Sequence, residues 1–339
     1  MDIKKTLFEF TQVNGTSGVE NNAIEYAEKV LAPYGKVEVT PLKSVICTVK
    51  EPEEGKPHIM LEAHMDEIGL VVTHIDDQGF LKVANIGGVD RNSVMAAPVT
   101  VHTKTGDIKA VVCSIPPHLS DDHSKLPKIT EISIDTGLSK EEVDAKVRLG
   151  DRITFDSIPA DMLNNTVTCK AEDDRACCVI MLRVLELLKD EKLDCGLSVV
   201  FSSMEEVGGQ GAKTAAYIVN PTHAIASDVS FAYTPDVKPH QTGKIGEGGL
   251  IGYSALLNDE MSDKLVELAK EHDIPYQIEA MGGYGTGTDA DEIATTRNGV
   301  KTALISLPQK YMHTIIETIS IDDMENSAKL IAEYVKTLR

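Results

Sequence analysis

The sequence predicts an α/β protein: a mixed, largely parallel sheet sandwiched by helices, with a small β-rich, barrel-type domain inserted into it. Three observations carry this. Strand-type and helix-type hydrophobic patterns alternate through residues 1–66 and again through 165–339, and that alternation builds a sheet covered on both faces. Between 67 and 164 the texture changes to short strand-like runs separated by turn residues. The segment 174–189 is apolar almost all round, as a helix buried between layers must be. The expected domains are therefore 1–66 together with 165–339, and an inserted 67–164.

Taken in order, residues 4–13 and 19–34 carry helical spacing, the second stopping at Gly35. Residues 36–40, 44–50 and 58–63 read as strands, the last containing the apolar run Ile59-Met60-Leu61. The inserted segment offers strands at 68–75, 80–84, 99–104, 107–114 and 152–155, set apart by turns such as Asp77-Gln78-Gly79. It also holds a short helix at 139–147, and a strand at 166–169 leads back to the first domain. Beyond the buried helix, strands are expected at 197–201, 223–226, 276–281 and 302–307, and helices at 260–271, 289–297 and 321–337.

Charge excludes several function classes. Acidic residues outnumber basic ones 53 to 33, a net charge of −20, so nucleic acid is not an expected partner: its phosphates need a basic face. No apolar run approaches the roughly 20 residues of a membrane span, so no membrane partner is expected. The start, Met1-Asp2-Ile3-Lys4-Lys5, lacks a signal-type apolar core. The six cysteines form no CxxC pair or framework spacing, which fits reduced core thiols and a cytoplasmic location.

Polar clusters sit where the buried strands should end, the usual place for sites in such sheets. Ala63-His64-Met65-Asp66-Glu67 follows the strand at 58–63. Residues i and i+2 of a strand share a face, so Asp66 can orient His64, as a carboxylate does for a metal-bound histidine. Lys170-Ala171-Glu172-Asp173-Asp174-Arg175 precedes the buried helix; one Asp would suffice as a cap, so a second carboxylate could bridge cations while Arg175 balances charge. Glu205-Glu206 follows the strand at 197–201, and adjacent glutamates point in different directions. One can bind metal while the other serves as general base. Asp228 and His313 follow two further strands. Taken singly, the glutamate pair, Asp228 and His313 are weaker evidence than a solvated acidic turn, a lone strand-end acid and a satisfied histidine, while His64 weighs evenly against a structural histidine. Jointly they are the inventory for two divalent cations about 3.5–4 Å apart.

The ordered motifs His64-x-Asp66, Lys170-Ala-x-Asp173-Asp174-Arg175, Glu205-Glu206-x-Gly208, Asp228, Thr288-Asp289-Ala290 and Tyr311-Met312-His313 closely resemble the M42 family of metallo-aminopeptidases. These are the glutamyl-aminopeptidase-like tetrahedral enzymes, some of whose members carry an endoglucanase label. The resemblance implies a zinc-peptidase-like catalytic domain that removes N-terminal residues from short peptides. It implies His64 and Asp228 on one metal, Glu206 and His313 on the other, and Asp173 bridging both. Glu205 would be the general base and Asp66 the support for His64. The cofactors implied are two divalent ions per subunit, Zn or Co, with Mn as the alternative. The partners implied are short peptide substrates and further copies of the chain, in a dodecamer built from dimers with the inserted domain as its dimerisation and assembly module. Cys177 stands where relatives have Gly, Gly248-Gly249 where Gly-Pro is common, and Thr286-Gly287 where Gly-Gly is common; none removes an implied ligand.

Other signals carry less. The glycine-rich run 282–287 lacks the Lys-Ser/Thr ending of a phosphate loop and is expected, with 243–249, to wall the substrate pocket. Cys169, Cys177 and Cys178 are expected in the core. The loop histidines His118 and His123 have no assigned role. Two rival classes stand beside the peptidase: a glycoside hydrolase, which needs two carboxylic acids but no histidines, and a metal-stabilised scaffold without activity.

Overall fold

The computed structural model describes residues 1–119, 126–235, 237–283 and 285–339, so His123 and Tyr284 lie outside the described residues. In chain order the strands are β1 (Lys36–Val39), β2 (Val45–Lys50), β3 (His58–His64), β4 (Gly69–Ile75), β5 (Leu81–Ile86), β6 (Pro98–Thr103), β7 (Gly106–Val112), β8 (Ser133–Asp135) and β9 (Arg152–Phe155). They continue with β10 (Ala160–Asp161), β11 (Thr166–Cys169), β12 (Gly196–Ser202), β13 (His223–Phe231), β14 (Gly249–Tyr253), β15 (Tyr276–Ala280), β16 (Lys301–Gln309) and β17 (Glu317–Ser320). The helices are α1 (Ile3–Thr11), α2 (Asn21–Leu31), α3 (Arg91–Val94), α4 (Lys140–Lys146), α5 (Glu172–Leu188), α6 (Gln210–Val219), α7 (Asp259–Glu271), α8 (Asp289–Ala294) and α9 (Ile321–Thr337).

Eight strands form one mixed sheet in the order β1-β2-β12-β3-β13-β16-β14-β15. Its centre, β12-β3-β13-β16, is parallel throughout. Alternate residues of each strand serve opposite cores. Ile59, Leu61 and Ala63 of β3 join the cluster under α1, α2, α5, α7 and α9, while Met60 joins Val200, Ala226 and Leu304 beneath α6 and α8. Continuing that period of two past Met60 puts Glu62 and His64 on the α6/α8 face. The same count puts Asp228 and Ser230 of β13 there, and Ser306 of β16.

The strands β4-β5-β8-β7-β6-β9 close a separate barrel with its own core, including Leu70, Val83, Val101, Ile134 and Ile153. Full closure leaves it no free sheet edge. A third sheet, β10-β11-β17, ties the return from the barrel to the strand before α9.

Six elements escaped the sequence reading, among them the short α3, β8 and β10 of the inserted segment. Helix α6 buries a narrow face of Gly211, Ala212, Ala215 and Ala216, too small to register as an apolar stripe. Strand β14 is diluted by Gly249 and Gly252, and β17 spans only four residues. Boundaries differ as well. Strand β13 runs on to Phe231 because β16 pairs it along its whole length, so Asp228 lies within the strand and not beyond its end. Helix α8 stops at Ala294, well short of 297.

Candidate metal centre

The register of the parallel strands assembles a polar cluster at their carboxyl ends. Ser202 pairs with His64 and Asp228 with Ser306. Asp173 enters from the start of α5, where it and Asp174 keep non-helical dihedrals and are joined by a cis peptide. Glu205 and Glu206 come from the turn after β12, and His313 from the turn between β16 and β17.

Asp173 lies between the two imidazoles. Its Oδ1 is 3.0 Å from His64 Nε2, and its Oδ2 is 3.3 Å from His313 Nε2. His64 Nε2 is also 3.9 Å from Asp228 Oδ1 and 3.8 Å from Glu205 Oε2. His313 Nε2 is 3.5 Å from Glu206 Oε2. Two sets of potential ligand atoms result, His64–Asp173–Asp228 and Asp173–Glu206–His313, each with all atoms within 4.8 Å of one another. The structure thus gathers His64, Asp173, Glu205, Glu206, Asp228 and His313 at one place.

Each imidazole is held from its far side. His64 Nδ1 faces the Asp66 backbone carbonyl at 3.2 Å and Asp66 Oδ1 at 3.4 Å. His313 accepts at its carbonyl from the Asp90 N–H, 3.2 Å away, and its ring bonds to the backbone of Gly88. Both Gly88 and Asp90 belong to the barrel segment.

Asp66 differs from its sequence expectation. Strand β3 ends at His64, so a shared strand face is not what pairs the two. The Asp66 carboxylate accepts the N–H groups of Glu205 at 3.1 Å and Glu206 at 3.4 Å, and the Ser17 hydroxyl at 2.6 Å. It anchors the glutamate turn as well as flanking the histidine. Arg175 differs too. Its guanidinium donates to Glu67 and to the carbonyls of Met65 and Phe10, and no bond from it to Asp173 or Asp174 is found among the described residues. Cys169, Cys177 and Cys178 are buried, as expected of core thiols.

The electrostatics suit cations. Burial pushes Asp173 up, but hydrogen bonds from His313 and His64 outweigh it and hold the carboxyl below its ordinary range. Burial pushes His64 down, yet bonds to Asp173 and Asp66 carry it well above its usual value. Burial raises Glu205 to about 8, His64 opposing and Asp289, Asp173 and Asp66 adding to the rise. Glu206 and Asp228 are raised well above the carboxylate range, burial again first. Glu206 Oε1 is buried without a hydrogen-bond partner among the described residues. A buried, unpartnered carboxylate oxygen beside two imidazoles and a shared aspartate is a donor set that fits divalent metal ions.

Sequence reasoning missed two supporting residues. Glu317 accepts backbone N–H groups from both Asp173 and His313; its only signal was a lone acid after the apolar pair Ile315-Ile316. Glu62 shares the Ser202 hydroxyl with Asp289, each at 2.6 Å, beneath the cluster.

The cluster opens into a cavity of about 400 Å³ whose lining includes Gly88, Phe231, Glu279 and Met312. Of the two loops expected to wall it, 282–287 contributes Thr286 and Gly287. None of 243–249 lines it, because Gly246 and Gly248 donate to Asp323 of α9 at 2.7 Å and draw that loop away.

The chain is similar to known aminopeptidases. The family model for M42 glutamyl aminopeptidase matches residues 44–330. A putative aminopeptidase of Acetivibrio thermocellus is 35% identical, over 98% of both chains. The lysyl aminopeptidase of Pyrococcus furiosus is 30% identical, over 100% of this chain and 97% of that one. The TET1 peptidase of Pyrococcus horikoshii, which can assemble into a tetrahedron or a large octahedral shell, superposes with a TM-score of 0.86 at 31% identity and covers 99% of both chains.

Proposed function

The chain belongs to the M42 glutamyl aminopeptidase family and is a hydrolase; from that premise we propose that it removes N-terminal residues from short peptides as a two-metal enzyme. His64 and Asp228 would hold one divalent ion, Glu206 and His313 the other, and Asp173 both. The observation that carries this is the placement of the two Asp173 oxygens toward different imidazoles, at 3.0 and 3.3 Å. Ions bound there would polarise the scissile carbonyl and acidify the attacking water.

The chain's own residues supply the rest. Glu205 is the general base: it lines the cavity beside both proposed ion positions, where a group that must both take and return a proton has to stand. It accepts the proton of the attacking water and returns it to the leaving amine. Asp66 fixes Glu205 and Glu206 by their backbones, so the two side chains diverge. Zn or Co, with Mn as the alternative, fits the mixed imidazole–carboxylate donor set. Sugar hydrolysis needs two carboxylic acids and has no use for the paired imidazoles of His64 and His313.

We further assign the barrel segment, within the inserted 67–164, to dimerisation and assembly of a dodecamer, and the protein to the cytoplasm. The cysteines are free, which suits a reducing compartment, and no helix among the described residues is long and apolar enough to cross a membrane.

The test is metal analysis alongside turnover of aminoacyl anilides. Chelation should abolish activity, and Zn, Co or Mn should restore it. Asp173→Asn should lower occupancy at both positions and His313→Ala at one; two full equivalents in Asp173→Asn contradict the bridge. Light scattering of the purified chain tests assembly, and a monomer at micromolar concentration contradicts it.

A further inference from the structure

Glu279 occupies a position that the reaction does not explain. It is on β15, at the sheet edge, and lines the same cavity as Asp173, Glu205 and Asp228. Its Oε1 accepts the Ser230 hydroxyl at 2.6 Å. Its Oε2 is buried and has no hydrogen-bond partner among the described residues. Nor is there a Lys or Arg among the described residues that line the cavity. A carboxylate oxygen withdrawn from water without a donor is costly unless something supplies one.

Ser230 sets the distance at which that donor must arrive. It lies two residues beyond Asp228 on β13 and on the same face, a separation of about 6.6 Å at a strand rise of about 3.3 Å per residue. The α-amino group of a bound peptide is one carbon from the carbonyl being attacked, so it stays beside the metal cluster. A group reaching Glu279 must therefore come from the end of the first side chain. The cavity's lining includes the apolar side chains of Met281, Leu304 and Met312 beside the hydroxyls of Ser306, Thr286 and Thr288. Long basic side chains suit such a lining, because their methylene stems lie along apolar surface while the charged head finds an acceptor. An acidic side chain would meet Glu279 as a like charge.

We propose that Glu279, oriented by Ser230, is the specificity determinant of this site and selects peptides whose N-terminal residue is Lys or Arg. This rests on the aminopeptidase reading. It sets the chain apart from a glutamyl preference: the charged head of the substrate's first residue donates to the unpartnered Glu279 oxygen, and its stem lies along Met281, Leu304 and Met312.

The test compares lysyl with norleucyl anilides, which share the α-amino group and most of the stem and differ in the terminal ammonium. Glutamyl and arginyl anilides complete the panel. The metal-loaded wild-type chain should show kcat/KM for lysyl and arginyl roughly tenfold or more above norleucyl, the scale of one charge-assisted hydrogen bond, and glutamyl should be poorest. Glu279→Gln should close the gap between lysyl and norleucyl, losing activity only toward the basic substrates. Ser230→Ala, a smaller change, should narrow it. Glu279→Lys should raise glutamyl above lysyl. Equal lysyl and norleucyl rates in the wild type overturn the inference, as does a uniform loss across all substrates in Glu279→Gln, which would mean that Glu279 holds the α-amino group.

Calorimetry with free L-lysine and L-norleucine on the same preparations separates this from the parent reading. If no anilide is cleaved with full metal occupancy, the aminopeptidase reading falls. Tighter binding of lysine, lost in Glu279→Gln, would still support the pocket assignment, and equal binding would overturn it.

Discussion

Glu317 holds Asp173 through the backbone: its Oε2 accepts the Asp173 N–H at 3.1 Å, while its Oε1 accepts the His313 N–H at 2.9 Å. One buried carboxylate therefore sets the separation between the proposed bridging residue and a proposed ligand that is distant in sequence. Both of its oxygens act as acceptors. A glutamine has only one acceptor oxygen, and its amide N–H₂ would face a second donor.

Glu317→Gln is accordingly expected to weaken metal binding without touching a proposed ligand. Losses on removing such supporting groups are typically about 10–100-fold in affinity. Titration against a competing chelator measures it. Unchanged affinity in a folded variant would show that α5 and the turn before β17 hold their positions without this residue.

Glu205 and Glu206 are adjacent but should fail differently. Glu205→Gln should keep its metal and its assembly, and lose at least about a hundredfold in kcat with little change in KM, since general acid–base contributions are commonly about 10²–10⁴-fold. Excess metal should not rescue it. Glu206→Gln should lose one metal and recover in part as metal is raised. The measurement is kcat with bound metal across a metal titration, and reversed outcomes would exchange the two roles.

Gly88 brings the barrel segment against His313. A Cβ placed there would lie 2.6 Å from His313 Nδ1 and 2.9 Å from Cε1, closer than side chains approach. Gly88→Ala should thus displace the imidazole and reduce metal at the position proposed for Glu206 and His313. The His64–Asp228 position should keep most of its affinity. Crystallography or metal-edge spectroscopy of the variant checks this, and two full metals with unchanged geometry would contradict it.

Acid should stabilise the metal-free protein. Burial raises Glu205 from 4.5 to about 8 and Asp289 from 3.8 to about 6. A carboxyl whose folded value exceeds its unfolded one contributes stability in full below the unfolded value and loses it as pH rises through the folded one. His64 and His313, also raised, act in the same direction. Asp173 is held low and opposes this only below about pH 3.8. Chelated protein should therefore melt at progressively lower temperature from about pH 5 to pH 8. With a divalent ion present the trend should flatten or reverse, because metal binding requires deprotonated ligands. A chelated Tm that rises over this range would sink the prediction.

Much of the fold was legible because burial leaves a local trace. Ile59-Met60-Leu61 and the all-round apolar α5 announce their environments within a few residues, and the turn-punctuated run after Ile68 announces a change of architecture. The polar motifs after β3 and β12 stood out against the apolar strands that precede them. Asp228 was harder to place, since Ser227 and Asp228 interrupt the apolar run of a strand that continues to Phe231. Glu317, Gly88 and Glu279 left no comparable trace. Each is a single residue without a periodic partner.

By itself the sequence determined the alternation of strands and helices, the inserted β-rich segment and which polar groups lie near strand ends, because each follows from patterns repeating over two to four residues. Only the tertiary structure decided that the Asp173 oxygens face two different histidines, that Gly88 of the barrel segment backs His313, and that Glu279 shares a cavity with Asp228. Those relationships depend on strand register and on where distant segments meet. A lone glycine or glutamate carries no local signature of the partner that the fold brings to it.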